Sequence, residues 1–195
     1  MSYNVITISR EYGSGGRHIG ELAAEKLGYE FFDKELIVKA AEKSGFAESF
    51  VKEHDEKKSL SRFFTDALSG SMFNGMSMED YIWSIQRQVI LELADKGKCV
   101  IVGRCSDHVL RDRTDCLNVF VHADMHDKMQ RIVEEYGDTK ASPDKLIADT
   151  DKKRAKMYKY YTDKDWGMAS NYHLSLNSSK FGIEKCVEII TELVK

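Results

Sequence analysis

Long apolar runs are missing from this 195-residue chain. No stretch approaches the ~20 residues that a bilayer-spanning helix needs, so membrane insertion by a helix is not expected. An excess of one charge is also missing. With 29 Lys and Arg against 32 Asp and Glu, the formal net charge is -3, and bulk charge makes no case for nucleic acid or an anionic membrane surface. The four cysteines, Cys99, Cys105, Cys116 and Cys186, form no C-x-x-C pair. Buried reduced thiols in a cytoplasmic protein are the expectation. The N-terminal residues enter a strand almost at once, which leaves no room for a signal peptide. His122 and His126 stand four apart but straddle a strand end and a helix start, so a surface pair is expected and no metal site.

What is present suits one globular domain, residues 1–195, with enough core to fold alone. Strand-like and helix-like segments alternate. Val5 to Ile8 reads as a buried strand, and Ile19, Leu22, Ala23 and Leu27 recur at helical spacing after it. Tyr29 to Phe32 reads as a second strand ending at Asp33. Helices are expected over 34–43 and about 46–58. Residues 59–78 mix Ser, Gly, Met and Phe without clean periodicity, and read either as an excursion over a site or as a plain connecting loop. A long helix follows over 79–96, with Ile82, Ile85, Val89 and Leu93 on one stripe. Strands are expected over 98–102, 117–121 and 172–176, and helices over 124–136, 142–161 and 183–194. Ser142 is placed to cap the second of these, with Pro143, the only proline, in its first turn. Five strands alternating with helices imply a parallel sheet covered on both faces. Ligands then bind outside the carboxyl ends of the strands, where Gly13, Asp33, Gly103 and Arg104 fall.

The loop between the first strand and helix, with Gly13, Ser14, Gly15, Gly16, Arg17 and His18, has the make-up of a phosphate cradle. Glycines allow close backbone approach, amides point at the anion, and the helix N-terminus adds a favourable dipole. A standard phosphate loop ends in Gly-Lys-Ser/Thr, with the lysine on the outer phosphates and the hydroxyl on Mg²⁺. If Gly15 is the last glycine of that pattern, Gly16 fills the lysine slot and Arg17 the hydroxyl slot. If the loop is one residue longer, Arg17 fills the lysine slot and His18 the other. Other cations that could surround a migrating phosphoryl group are Lys39, Arg104, Arg131 and Arg154. Asp151 lies one turn before Arg154, on the same helix face.

The segments SREYGSGGRHIG, LAAEKLGYEFFDKELI, VIVGR and DKKRAKMYKYYTDKDWG…NYHLSLNS resemble the bacterial cytidylate kinase-like family, over nearly the whole chain. That resemblance implies a three-layer α/β/α P-loop kinase fold with a five-stranded parallel sheet. It adds a helical substrate-binding region at about 34–80 and a lid at about 138–165. It implies phosphoryl transfer from ATP, with Mg²⁺, to a nucleoside monophosphate, CMP or dCMP first. Asp33, Lys39, Arg104 and Asp151 would then serve the acceptor, Arg131 the donor nucleotide, and Arg17 and Arg154 the transferring phosphates. Nucleotide small molecules are the implied partners, and a monomer or weak homo-oligomer the implied state. The chain departs from the cytidylate kinase pattern at the lysine and hydroxyl slots, at Cys105 where an acidic residue follows Gly-Arg, and at Lys34 where a serine follows the aspartate. Two other outcomes stay open: a kinase for a different small acceptor, and a nucleotide-binding protein without turnover.

Overall fold

The computed structural model describes residues 3–34, 77–134 and 142–194. The helices expected at 34–43 and 46–58, and nearly all of the 59–78 segment, lie outside those residues. Strand β1 (Val5–Arg10) leads into helix α1 (Gly16–Leu27), then β2 (Glu30–Phe32), α2 (Met78–Lys96) and β3 (Cys99–Val102). A single turn, α3 (Ser106–Val109), precedes β4 (Cys116–His122), α4 (Met125–Glu134) and α5 (Pro143–Thr162). A short 3₁₀ turn (Ala169–Asn171), β5 (Leu174–Asn177) and α6 (Ser178–Val194) complete the order, with α6 broken at Gly182.

The five strands pair in parallel in the order β2-β3-β1-β4-β5. Alternate residues of each strand supply opposite faces. Ile6, Ile8, Val100, Val102, Leu117, Val119 and Val121 pack with Ile19, Ala23, Val187 and Ile190 from α1 and α6. Val5, Cys99, Ile101 and Cys116 pack with Val89, Ile90 and Leu93 of α2. All four cysteines are free and buried, and burial pushes the Cys99, Cys105 and Cys116 thiols up to about 12.

Three local expectations shift. β1 runs two residues past Ile8, because Ser9 and Arg10 continue the ladder opposite Phe120 and Val121. On α2 the buried residues are Tyr81, Gln86, Val89, Ile90, Leu93 and Ala94, while Ile82 and Ile85 are half-buried. The first half of α2 also meets an aromatic side chain of α5: Trp83 stacks on Tyr161 at 4.6 Å between ring centroids. Ser142 does stand at the N-cap of α5, but its side chain caps no backbone amide. Trp166, beyond α5, meets Phe120 of β4 edge-on at 5.5 Å.

Candidate active site

β1 and β3 are neighbours, with Ile8 opposite Val102, so the residues after both strands emerge at one edge. At Gly13 and Gly15 φ is 77° and 75°, in the left-handed region. The loop is also walled in. A Cβ on Gly13 would lie 2.8 Å from the Lys128 carbonyl oxygen, and one on Gly15 would lie 2.5 Å from Ile183 Cδ1. Side chains take up the loop carbonyls. The Glu11 carbonyl accepts from Ser14 Oγ at 2.8 Å, that of Gly13 from Arg131 Nη1 at 2.5 Å, and that of Ser14 from Ser178 Oγ at 2.7 Å. The amides are left over: those of Gly13, Gly15 and His18 find no acceptor among the described residues. Unpartnered amides at the head of a 12-residue helix make an anion site.

Cations gather beside it. Arg154 Nη1 donates to the Arg10 carbonyl at 2.9 Å, stands 3.5 Å from Asp151 Oδ1, and its guanidinium lies 5.5 Å from the Tyr12 ring centroid. Asp151 Oδ1 also accepts from the Tyr12 amide at 2.8 Å, which ties α5 to the loop. Buried Lys128 bridges beneath, 2.9 Å from Glu11 Oε2 and 4.0 Å from Asp151 Oδ2. Burial holds the Asp151 carboxyl above the usual carboxylate range, against the pull of the Tyr12 amide, Arg154 and Lys128. Arg104 follows β3 in a run of three left-handed residues, Gly103, Arg104 and Cys105, at φ of 80°, 57° and 51°. A non-glycine residue there costs about 1–2 kcal/mol. That strain is fixed by the Gly103 amide on the Ile8 carbonyl and the Ser106 amide on the Gly103 carbonyl. Burial lowers the Arg104 pKa, and Arg154 lowers it further. Burial, then Arg154 and Arg104, pull Arg10 down to about 9. Arginines stay protonated near neutral pH, so this corner holds three close positive charges and is short of negative charge.

A family model described as the cytidylate kinase-like family matches residues 5–180. The chain belongs to the cytidylate kinase-like family. None of the curated proteins compared with it matches. Among solved structures, an uncharacterized protein from Eubacterium ventriosum shares 22% identity, with 97% of each chain covered and a TM-score of 0.75. Shikimate kinase from Bacteroides thetaiotaomicron shares 17% identity at a TM-score of 0.56, again over 97% of each chain. A gluconokinase from Sinorhizobium meliloti shares 14% at a TM-score of 0.51, over 100% of this chain and 95% of the other. These likenesses show the P-loop kinase fold: a three-layer arrangement around the five-stranded parallel sheet.

Within this family member the expected site residues fall as follows. Gly13, Gly15 and Gly16 shape the loop. Ser14 is buried, and both its amide and its hydroxyl go to the Glu11 carbonyl. Arg131 grips the loop from α4. Arg104, Asp151 and Arg154 come together at the strand ends. Arg17 turns toward the end of β2: its Nε and Nη2 both lie 2.9 Å from Asp33 Oδ2, and Nη1 lies 3.2 Å from Glu21 Oε2. His18 is exposed on α1, and Lys39 is outside the described residues. Sequence reasoning missed Arg10, the Glu11–Lys128 pair and Ser178. It also missed a buried polar cluster under α5, where Tyr158 donates to Asp107 Oδ2 at 2.7 Å and Ser9 Oγ stands 3.5 Å from Oδ1. The readable signal for Arg10 was a glycine in the lysine slot with an arginine six residues earlier. The other partners are distant in sequence and left no signal.

No group of three or more His, Cys, Asp or Glu side chains suited to a metal ion occurs among the described residues. The side chains of the two possible hydroxyl slots, Arg17 and His18, carry no hydroxyl. The described residues therefore do not fit a protein-held Mg²⁺.

Proposed function

We propose that this protein transfers the γ-phosphoryl group of ATP to a small acceptor that already carries a phosphate, with CMP and dCMP the first acceptors to test. The observation that carries the reading is one strand-end edge with two features. It has backbone amides at the head of α1 without acceptors among the described residues, and Arg104 and Arg154 stand at the same edge. Phosphoryl transfer asks mainly for positioning and for positive charge around the migrating group. In this reading the amides from Gly13 to His18 bind the donor phosphates, and Arg131 keeps the loop in shape. Arg154 stabilises charge that develops on the transferring oxygens. Arg104, with Lys39, binds the acceptor phosphate. Asp151 holds Arg154 and the loop in register, and Asp33 with Arg17 borders the acceptor side. The region 138–165 acts as a lid that excludes water during transfer. ATP would bring Mg²⁺ on its own phosphates. The reading also takes the protein to be cytoplasmic, acting as a monomer or weak homo-oligomer on nucleotides. Among the described residues no helix is long and apolar enough to cross a membrane.

A second reading, nucleotide binding without turnover, is favoured by one observation. Both candidate lysine slots are compromised: Gly16 has no side chain, and Arg17 is engaged with Asp33 and Glu21. ATP consumption across a panel of nucleoside monophosphates, with thermal shifts on the same samples, separates the two. Turnover with CMP or dCMP establishes the first reading. Stabilisation by ATP without turnover on any of these acceptors points to a different acceptor or to the second reading, and absence of any stabilisation removes the donor site from both.

A further inference from the structure

The space that a side chain at Gly16 would need is already filled. A Cβ built there would lie 2.5 Å from Arg10 Cβ, 3.1 Å from Arg10 Cγ and 3.1 Å from Val121 Cβ. The stem of Arg10 thus rises where the stem of a loop lysine would start. Its other end lies against Gly103, where an added Cβ would sit 3.2 Å from the Arg10 Cζ and collide with Nη1. Arg10 therefore runs from the head of α1 to the end of β3. This is the crevice where the chain's crossovers diverge to opposite sides of β1. Glycine at both positions makes room for this one side chain.

Among the described residues the Arg10 guanidinium makes no hydrogen bond and no ion pair, and only the Arg10 carbonyl is engaged, by Arg154. The nearest charged groups on neighbouring elements are Arg154 and Asp151 of α5, Arg104 after β3, and Asp33 after β2. Asp33 is taken by Arg17, and Asp151 by the Tyr12 amide and Arg154. A guanidinium held beside two others, with no carboxylate on it, is built to receive an anion.

We propose that Arg10 is the phosphate-binding residue that replaces the loop lysine, entering the polyphosphate site from the end of β1 and joining it to Arg104 on the acceptor side. The nucleotide part of this assignment rests on the kinase reading above, whereas the polyanion part does not. A glycine in the lysine slot is then the second half of a relocation of the cation.

The test measures binding of inorganic tripolyphosphate and of ATP by titration calorimetry at fixed salt, with ligand-free thermal unfolding alongside. The proteins are wild type, Arg10→Met, Arg10→Lys and the double variant Arg10→Gly/Gly16→Lys. Arg10→Met keeps an apolar stem and removes the charge. The expected result is loss of roughly 10- to 100-fold in affinity for both ligands. Its ligand-free melting temperature should be unchanged or raised, since a cation crowded by two others is gone. Arg10→Lys should retain part of the affinity. The double variant frees the space around position 16 for a lysine and should recover binding to within about tenfold of wild type. Equal affinity of Arg10→Met and wild type for tripolyphosphate overturns the proposal. So does a fall in the ligand-free melting temperature of Arg10→Met with no recovery in the double variant, which would make Arg10 structural. Arg10-dependent binding of tripolyphosphate with no tighter binding of ATP upholds the anion site and overturns the nucleotide reading. Failure of wild type to bind either ligand overturns both.

Discussion

Replacing Gly16 with alanine sets two effects of known size against each other. Position 16 opens α1 with ordinary backbone angles, so alanine brings helix propensity, worth at most about 1 kcal/mol over glycine and less at a first turn. Against it stands the crowding. The new methyl would lie 2.5 Å from Arg10 Cβ, an atom rigidly attached to β1, and 3.1 Å from Val121 Cβ on β4. Neither can swing away as a flexible side-chain end would, so α1 must lift from the sheet edge. Overpacking of this kind costs about 1–3 kcal/mol, which exceeds the propensity gain. The net expectation is a loss of about 1–2 kcal/mol, read as a fall of roughly 2–8 °C in melting temperature for a chain of this size. Urea unfolding of Gly16→Ala, Arg10→Gly and the double variant closes a cycle. If Arg10 is the obstacle, the double variant should be more stable than the sum of the singles by about 1 kcal/mol or more. A Gly16→Ala protein more stable than wild type, or a cycle that adds without coupling, would refute the packing on which the Arg10 argument depends.

Arg154→Ala should lower kcat by about 100-fold or more while acceptor KM changes by less than about tenfold, measured by steady-state kinetics. Equal losses in both would place Arg154 in ground-state binding. Ser178→Ala leaves the buried Ser14 carbonyl without its 2.7 Å donor and should cost about 1–2 kcal/mol in urea unfolding, together with weaker ATP binding as the loop relaxes. Asp107 supplies a pH dependence. Burial holds its carboxyl above the ordinary value, despite the Tyr158 hydroxyl and local amides. The folded chain thus keeps this proton more tightly than the unfolded chain. The associated stability is full below the unfolded value of 3.8 and is lost as pH rises through the raised folded value. Asp107→Asn should therefore gain on wild type as pH rises through that range, and a difference that stays flat with pH would contradict it.

Much of this arrangement was legible in the sequence because it is local. Hydrophobic period, with the Ser142-Pro143 helix start, placed every described strand and long helix to within about five residues. Gly103-Arg104 after an apolar strand, and Asp151 one turn from Arg154, could be put at the cleft for the same reason. The residue that stayed hidden among the cations, Arg10, sits where strand and loop meet. The β-prone run ends at Ile8, and only the pairing of Ser9 and Arg10 with β4 carries the strand further. The loop's supports were hidden by distance: Ser178 lies 164 residues from Ser14, and Lys128 lies 117 from Glu11. The stacking of Trp83 on Tyr161 was hidden too, since it is a contact between two helices distant in sequence.

The polar and charged groups of this edge share a physical character. Each is a polar or charged group placed in the interior at a cost, and each stands at the same strand-end edge. Lys128 is buried against Glu11 and Asp151, Asp107 is buried on Tyr158, Arg104 and Cys105 hold strained backbone, and Arg10 lies beside two like charges. Hydrophobic burial in the two cores does not require any of them. A fold that concentrates its unfavourable terms at one edge, while every sheet face packs with Ile, Val and Leu, has its chemistry at that edge. The excess positive charge there gives the concentration a direction. Bound phosphate oxygens would relieve the repulsion among Arg10, Arg104 and Arg154, so ligand binding and folding stability should rise together at this site.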